Sequence, residues 1–337
     1  MNHLKFIISH ALHISGIFYL WGRFFFARKA FILMYHRVLT NDELKNSPVN
    51  VQPGMYVTPS TFESHVKYLI KKNYTIVFLS ELADLISQKK DISRCCVITF
   101  DDGWIDNYTN MLPILKKYNV KATIFITSGF TGTNKLFWPE EVALYIDTIV
   151  ELDYLERMLK ILNLNLDDTD KVRNSDSLLK DTIISHLKSF SHNQRIELIK
   201  SIKNLAASSQ QPNHTLLMGW NEINEMVASG LVEFGSHTVN HELLDKLDNQ
   251  DIKFEIQDSM SVLADRLGMP CKTLSYPNGN YNDNVLSIVQ DTTLQAAVTT
   301  QRGYVTSNTN LLTLPRIAIH EDVSCNLPLF QWRLSVR

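Results

Sequence analysis

Residues 95–108 read CCVITFDDGWIDNY, and the rest of the sequence is interpreted around this stretch. Its first part, residues 95–100, has the composition of a strand that is buried on both faces. The strand ends at two neighbouring carboxylates, Asp101 and Asp102, followed by a glycine. Two ionised carboxylates in a poorly solvated place repel each other, so they need a cation, a shared proton or open solvent. A solvated Asp-Asp-Gly turn is the alternative.

The overall composition is that of an ordinary globular protein. The chain has 337 residues, with 33 basic and 35 acidic side chains. This balance gives no indication of a nucleic-acid partner, and the length suits one large domain or two small ones. Cys95, Cys96, Cys271 and Cys325 lack metal-binding or redox spacing. We therefore expect reduced thiols and a protein that faces the cytoplasm.

The N-terminal segment, residues 1–29, has the pattern of an amphipathic helix. Its apolar stripe consists of Ile7, Ala11, Ile14, Phe18, Trp21 and Phe25. No small-residue cleavage site follows, and the apolar run is short for a membrane span. We predict a helix in the membrane interface, with Arg23, Arg28 and Lys29 near lipid phosphates at the cytoplasmic face of the inner membrane. The alternative is a helix packed on the protein's own core.

Strands alternate with helices through most of the remaining chain, residues 30–337. Apolar strand-like runs are found at residues 30–35, 75–78, 95–100, 122–127, 232–234, 272–276, 296–299 and 314–319. This alternation predicts a mostly parallel sheet with crossover helices, so both carboxylates lie where such sheets and barrels bind ligands.

Several helices are also predicted from the pattern. Ser80 is a candidate N-cap, and residues 108–118 and 250–267 each have the periodicity of a helix. Residues from about 130 to 215 read as helices without a β-rich run. This insertion is either a wall or lid of a binding cleft or a purely structural element.

A second motif, GSHTVNH at residues 235–241, follows another predicted strand. The spacing of His237 and His241 predicts that they share one face of a helical turn and reach one cation. With one carboxylate of the acidic pair they make three ligands, the number found in catalytic zinc-type sites. The other carboxylate is then close enough to take a proton from a water that the metal activates. Incidental histidines are the alternative.

A third motif, LSYPNG at residues 274–279, predicts a tight turn after a strand. Backbone N–H groups in such a turn can point at a developing oxyanion. A plain Pro-Asn-Gly turn is the alternative.

Taken together, TFDDG at 99–103, SHTVNH at 236–241 and SYPNG at 275–279 resemble the polysaccharide deacetylases. This family is also called the NodB-homology domain or carbohydrate esterase family 4, and MYHRV at 34–38 matches it too. The resemblance, closest to exopolysaccharide or glycolipid-type members, implies an α/β fold: a distorted (β/α) barrel with a helical insertion. It also implies a divalent-metal hydrolase that removes acyl groups, usually acetyl from N-acetylated sugars.

The resemblance assigns roles to the motif residues. Asp101 corresponds to the general base, and Asp102, His237 and His241 correspond to the metal ligands. Asn278, the residue after the proline, corresponds to the donor of the oxyanion N–H. Zn²⁺ is the expected ion, with Co²⁺, Ni²⁺ and Mn²⁺ as alternatives.

The sequence departs from the family pattern at two places. Many members have an arginine two residues before the proline that orients the base, whereas this chain has Ser275. We expect Arg316, on the last predicted strand, to take over that role. The family also has a late histidine as general acid. His320 is the nearest candidate although its surroundings match poorly, and His36 is a less favoured alternative.

The leading hypothesis is a metal-dependent N-deacetylase. Its substrate would be an N-acetylhexosamine of a surface polysaccharide or of a lipid-linked glycan precursor. A deformylase or O-deacetylase would use the same chemistry on another acyl group. A catalytically impaired, carbohydrate-binding relative is a further alternative. Its support is Ser275, which stands where many family members have the arginine that orients the base.

Overall fold

The strands of the chain form a closed barrel in which all neighbours run parallel. The computed structural model describes residues 3–15, 29–47, 51–52, 54–165, 175–206 and 216–335. The strands are β1 (Phe31–Tyr35), β2 (Arg37–Val38), β3 (Tyr56–Val57), β4 (Thr75–Ile76), β5 (Cys95–Phe100), β6 (Ala122–Ile126), β7 (Val232–Ser236), β8 (Thr273–Ser275), β9 (Ala296–Arg302) and β10 (Leu314–Ala318).

The barrel order is β1-β10-β9-β8-β7-β6-β5, and it closes because β5 pairs with β1. Strand β4 pairs with the beginning of β5, and β2 and β3 form a separate parallel pair. The predicted (β/α) barrel with a helical insertion is therefore confirmed.

The helices lie between the strands and at the two ends of the chain. In chain order they are α1 (His3–Ile14), α2 (Asn41–Lys45), α3 (Pro59–Lys71), α4 (Leu79–Ser87), α5 (Leu112–Tyr118), α6 (Trp138–Glu151), α7 (Leu155–Ile161), α8 (Asp176–Lys188), α9 (His192–Ala206), α10 (Trp220–Ala228), α11 (Asn249–Lys253), α12 (Ser259–Leu267), α13 (Asp283–Gln290), α14 (Glu321–Ser324) and α15 (Leu327–Ser335).

The chain divides into two compact units, which we call the barrel unit and the helical unit. The barrel unit comprises residues 1–45, 53–133 and 217–337, and the helical unit comprises residues 46–52 and 134–216. Helices α6 to α9 enclose a core of their own, which includes Val142, Ile146, Met158, Ile183, Leu187 and Ile202. The helical unit therefore has the apolar interior that a separate compact unit requires.

Strand β5 is buried along its whole length, and its side chains alternate between two environments. Cys96, Ile98 and Phe100 pack in the cluster that contains the apolar face of α3. Cys95 and Val97 pack in a different cluster with residues of β1, β6, β9 and β10. By the same alternation, Thr99 and Asp101 follow Val97 on the barrel interior.

Three helix predictions need correction. Ser80 is not an N-cap, because α4 begins after Phe78 and the Glu81 carboxylate accepts the Phe78 N–H instead. The predicted helix at 108–118 begins as a π-helical turn, Asn107–Met111, and becomes α-helical only at α5. The predicted helix at 250–267 is also interrupted by a π-helical turn, Phe254–Asp258.

Helix α1 contacts α15 through its polar side. Ser9 is buried, and the Nδ1 atom of His13 lies 2.5 Å from the Gln331 Oε1 atom on α15. The predicted apolar stripe is turned outward instead, with Ile7 55% and Ile14 83% exposed. Phe18, Trp21 and Phe25 lie outside the described residues, as do Arg23 and Arg28. None of the helices in the described ranges has the length and apolarity to cross a membrane.

A buried ion pair occupies the barrel interior above the apolar layer. Arg316, from β10, is completely buried and donates two hydrogen bonds of 2.7 Å to Asp101, one to each carboxylate oxygen. Its other donors reach the Thr299 carbonyl (2.9 Å), the Thr99 hydroxyl (3.2 Å) and the Ser275 hydroxyl (3.1 Å). A guanidinium has five N–H donors, and all five have an acceptor here. The pair thus joins β5, β8, β9 and β10.

This arrangement predicts strong coupling between Arg316 and Asp101. R316M should lower the free energy of unfolding by about 3–5 kcal/mol, because it leaves a buried carboxylate without its cation. The double variant D101N/R316M should lose less free energy of unfolding than the sum of the two single losses, because neither partner is then left charged alone. Urea unfolding of the four proteins measures this.

A matched control is K117M, which removes an exposed ion pair with Glu63 (2.7 Å). Its urea midpoint should stay near the wild-type value, because exposed pairs contribute little. Additive effects of D101N and R316M would contradict the coupling.

Candidate active site

The two carboxylates after β5 lie in a tight, buried turn. Asp101 is 2% and Asp102 6% exposed, which excludes the solvated turn. Asp102 and Gly103 both have left-handed backbones, with φ of 77° and 78°. A side chain at Gly103 would bring its Cβ within 2.8 Å of Ile126, so glycine is required there. The turn therefore separates the carboxylates, with Asp101 facing Arg316.

Asp102 has one oxygen fixed by an indole and the other turned to the histidines. The Trp104 Nε1–H donates to Asp102 Oδ2 at 2.9 Å. The Nε2 atoms of His237 and His241 each lie 3.4 Å from Asp102 Oδ1. The structure thus brings together the three residues predicted as ligands, with one oxygen of Asp102 shared by both imidazoles.

The prediction that the two histidines share a helical turn is wrong. His237 directly follows β7, and residues 237–241 form an irregular loop. Thr238 and His241 have left-handed backbones, with φ of 69° and 58°. These two residues turn the chain back on itself, so the imidazole rings meet at 4.8 Å between centroids without a helix.

A hydrogen bond determines which ring nitrogen of His237 carries the hydrogen when the imidazole is neutral. Its Nδ1 atom lies 2.7 Å from the Ser275 carbonyl oxygen, which can only accept, so Nδ1 carries the hydrogen. Nε2 therefore holds the lone pair of the neutral imidazole and donates to Asp102 when the ring is protonated. Burial would lower the pKa of His237, but this hydrogen bond and the charge of Asp101 raise it. Burial would raise the pKa of Asp102, but the two imidazoles hold it well below its ordinary value. A carboxylate facing two imidazole nitrogens is a suitable set for a cation.

The donor set also has the spacing that a metal requires. Two atoms that are each about 2.05 Å from a tetrahedral zinc ion lie about 3.3 Å apart. The observed 3.4 Å from Asp102 Oδ1 to each Nε2 agrees with this value. All three ligand atoms lie within 4.8 Å of one another. Asp102, His237 and His241 therefore fit a divalent ion with positions left open.

Asp101 lies beside this set without belonging to it. Its burial favours the neutral acid, but attraction and hydrogen bonds from Arg316 outweigh this and lower the pKa of Asp101. The Ser275 hydroxyl lies 3.3 Å from Asp101 Oδ2 and also accepts from Arg316. Arg316 therefore contacts Asp101 as expected, and the small side chain at position 275 contacts the same guanidinium.

The Pro-Asn-Gly motif forms a turn directly after β8, the strand that holds His237 through Ser275. Asn278 has a left-handed backbone, with φ of 55°, and its carbonyl accepts the Thr300 hydroxyl at 3.1 Å. The role of the Asn278 N–H as an oxyanion donor stays a prediction.

The two candidate proton donors lie in different surroundings. His320 follows β10, where its Nδ1 pairs with Asp322 at 3.1 Å and its ring lies beside Gly54. His36 follows β1 and interacts electrostatically with Asp101, Asp102 and His237. Burial lowers the pKa of His36, although the two carboxylates oppose this. Which of the two histidines is the general acid therefore stays a prediction.

Trp104 and its neighbours were not singled out from the sequence. The Arg37 guanidinium lies over the Trp104 ring, 4.3 Å from its centroid, and its Nε donates to Asp106 at 2.9 Å. This stack holds the indole whose N–H fixes Asp102. The only sequence signal was proximity: Trp104 is two residues after Asp102, and Arg37 lies in the MYHRV motif.

Comparisons with known proteins agree with this geometry. YxkH of Bacillus subtilis is 24% identical over 294 residues, covering 87% of this chain and 72% of that protein. The poly-beta-1,6-N-acetyl-D-glucosamine N-deacetylase of Staphylococcus aureus is 24% identical over 306 residues, covering 87% and 79%. The deacetylase PplD of Streptococcus pyogenes, solved with acetate, has a similar fold: TM-score 0.58, 21% identity, 92% of this chain and 98% of that one.

The sequence profile of the polysaccharide deacetylases matches residues 88–163 and 179–297, which is more than half of the chain. The matched segments include Asp101, Asp102, His237, His241 and the Pro-Asn-Gly turn. With the parallel barrel and the Asp-His-His set, this match shows that the chain belongs to the polysaccharide deacetylase family.

Proposed function

We propose that this protein is a metal-dependent hydrolase that removes the N-acetyl group from an N-acetylhexosamine of a polysaccharide. The observation that carries the proposal is the Asp102-His237-His241 set beside the separate, ionised Asp101. One carboxylate is available to the ion and the other to a proton, which is the division of roles that amide hydrolysis needs.

A bound divalent ion would supply Lewis-acid activation of water and of the amide carbonyl. Zn²⁺ suits two imidazoles and a carboxylate best, and Co²⁺, Ni²⁺ and Mn²⁺ are alternatives. Asp101 takes the proton of the attacking water, and Arg316 keeps this carboxylate ionised and oriented. The Asn278 N–H is the proposed donor to the oxyanion of the tetrahedral intermediate.

The departing amine needs a proton, and we propose that His36 delivers it. Its electrostatic interaction with Asp101, Asp102 and His237 supports this role, whereas His320 pairs with Asp322. In this scheme Asp101 accepts a proton from the attacking water, and His36 donates a proton to the departing amine.

A polysaccharide is the proposed substrate class. The named activity of the Staphylococcus aureus relatives supports a poly-N-acetylglucosamine as the substrate. A lipid-linked glycan precursor is the other substrate that we propose. Ser275 was the one sign of an impaired relative, and the contacts of Arg316 with Asp101 argue against that alternative. A formyl group and an O-acetyl group are alternative acyl groups that the same site would transfer to water.

We also propose that α1 lies on the cytoplasmic face of the inner membrane. The exposed apolar stripe that includes Ile7 and Ile14 supports this, because such a stripe gains free energy at a lipid surface. A surface location near lipid would suit a lipid-linked substrate.

The first experiment is a mass measurement of glycans after incubation with metal-loaded protein. β-1,6- and β-1,4-linked N-acetylglucosamine oligosaccharides, lipid-linked amino sugars, and N-formyl and O-acetyl analogues are compared. We expect loss of an N-acetyl group from at least one N-acetylated glycan. D102A and H237A should abolish metal binding and activity together, whereas the exposed loop variant D91N should retain both. Turnover that persists after chelation of the metal would refute the mechanism.

The second experiment separates the two proton donors. H36Q should lower kcat by about 10²–10⁴-fold, the usual contribution of general acid–base catalysis, without weakening metal binding. H320Q should remain near the wild-type rate. The reverse pattern would return the role to His320.

The third experiment tests the membrane surface with vesicles that contain anionic lipid. The full chain should cosediment with them, and the I7S/I14S double variant should not. I70S, which changes an equally apolar exposed residue on α3, is the matched control and should bind like the wild type. A wild-type chain that stays in the supernatant would contradict the proposal.

A further inference from the structure

The loop that carries both histidine ligands has every internal backbone N–H engaged. The Thr238 N–H donates to the Ser236 hydroxyl (3.1 Å), and the His241 N–H donates to the Thr238 hydroxyl (3.0 Å). The two N–H groups between them, of Val239 and Asn240, both donate to one carboxylate. The loop also accepts the N–H groups of Ser128 and Gly129 at the carbonyls of Thr238 and Val239, so one side-chain carboxylate and these backbone bonds together hold it.

That carboxylate belongs to Glu255, a residue that none of the sequence motifs contains. Its Oε2 accepts the Val239 N–H at 2.9 Å and the Asn240 N–H at 2.8 Å, and its Oε1 accepts the Asn240 side-chain amide at 2.8 Å. Glu255 is only 3% exposed. Successive N–H groups around one anion form a nest, which is a specific site for negative charge.

The loop needs such an anchor because its backbone is strained. Thr238 and His241 are both left-handed, which is costly for residues other than glycine and persists only where the surroundings enforce it. The left-handed turn at His241 is what returns its imidazole to Asp102. We infer that loss of an anchor raises the population of other loop conformations, in which His241 is not held beside Asp102.

A π-helical turn aims the Glu255 side chain at the loop. Glu255 is the second residue of the turn Phe254–Asp258, between α11 and α12. A π-helical turn inserts an extra residue and so changes the direction of the side chains around it. The next helix begins with Ser259, whose hydroxyl lies 2.7 Å from that of Ser236 at the start of the loop. The same helical segment thus holds the loop at two points.

We propose that Glu255 is a positioning residue for the metal centre, which sets the metal affinity by holding residues 237–241 in the binding conformation. This inference rests on the proposed function only in that the Asp102-His237-His241 set binds a divalent ion. The hydrogen bonds of Glu255 go to the Val239 and Asn240 N–H groups and to the Asn240 amide, so we infer that it acts by raising the population of the loop conformation that binds metal.

Titration of the metal-free full chain with Zn²⁺ and with Co²⁺ tests the proposal. Calorimetry gives the Kd, and the Co²⁺ absorption spectrum reports the ligand geometry. E255A should weaken binding by about 10–100-fold, the usual effect of removing a partner outside the ligand set. E255Q should lose less, because its amide oxygen still accepts the backbone N–H groups while rotation of the Asn240 amide relieves the clash of two donors. At saturating metal, kcat of both variants should return close to the wild-type value.

The matched control is E233Q. Glu233 is a partly buried carboxylate on β7 itself, and it bonds to the hydroxyls of Ser80 and Thr123. E233Q should leave the Kd unchanged. Unchanged metal affinity in E255A and E255Q would overturn the role of Glu255, as would equal losses in E255Q and E233Q.

The two proposals fail in different ways. A wild-type chain that binds neither ion would overturn the metal site and this inference together. A wild-type chain that binds the ions but releases no acetate would overturn only the proposed activity. If E255A does not fold, the Kd of E255Q compared with that of E233Q still tests the role of Glu255.

Discussion

The barrel interior depends on one buried ion pair, between Arg316 and Asp101. A charged pair inside a protein is costly to desolvate and is tolerated only when every donor and acceptor is matched. The five N–H donors of Arg316 meet this condition through Asp101, Thr99, Ser275 and Thr299. The strands must keep their register so that these acceptors surround the guanidinium. The ionised state of Asp101 therefore depends on the architecture of the barrel.

The neighbouring carboxylates differ in role because their partners differ in kind. Asp101 is held by a guanidinium that cannot lose its proton, so it remains charged and oriented without a metal. Asp102 faces the Nε2 atoms of two imidazoles, a donor set that suits a divalent ion. Trp104 takes one oxygen of Asp102 and leaves the other for the imidazoles. A left-handed turn at Asp102 makes this separation of two adjacent side chains possible.

Much of the barrel and of the site could be predicted from the sequence, because both rest on strong local patterns. Each polar motif follows the end of a predicted buried strand. Because the strands are parallel, their carboxyl ends lie at the same rim of the barrel. The loop at 237–241 could not be predicted, because Thr238 and His241 carry no local signal for a left-handed backbone and the spacing instead suggested a helix. The π-helical turn at Phe254–Asp258 had the periodicity of an ordinary helix. His320 was favoured over His36 by its position in the sequence, whereas the surroundings of each ring are set by tertiary packing.

The complete set of acceptors around Arg316 has a consequence for how such a chain can change over generations. Moving the arginine from position 316 to position 275 one substitution at a time must pass through a barrel with two buried guanidiniums or with none. The first leaves a positive charge unmatched and the second a negative one, and either is severely destabilising. The two positions are therefore expected to exchange together, with Thr99 and Thr299 adjusting to them. The hydrogen bond between Arg316 and Ser275 thus couples two positions that lie 41 apart in the sequence.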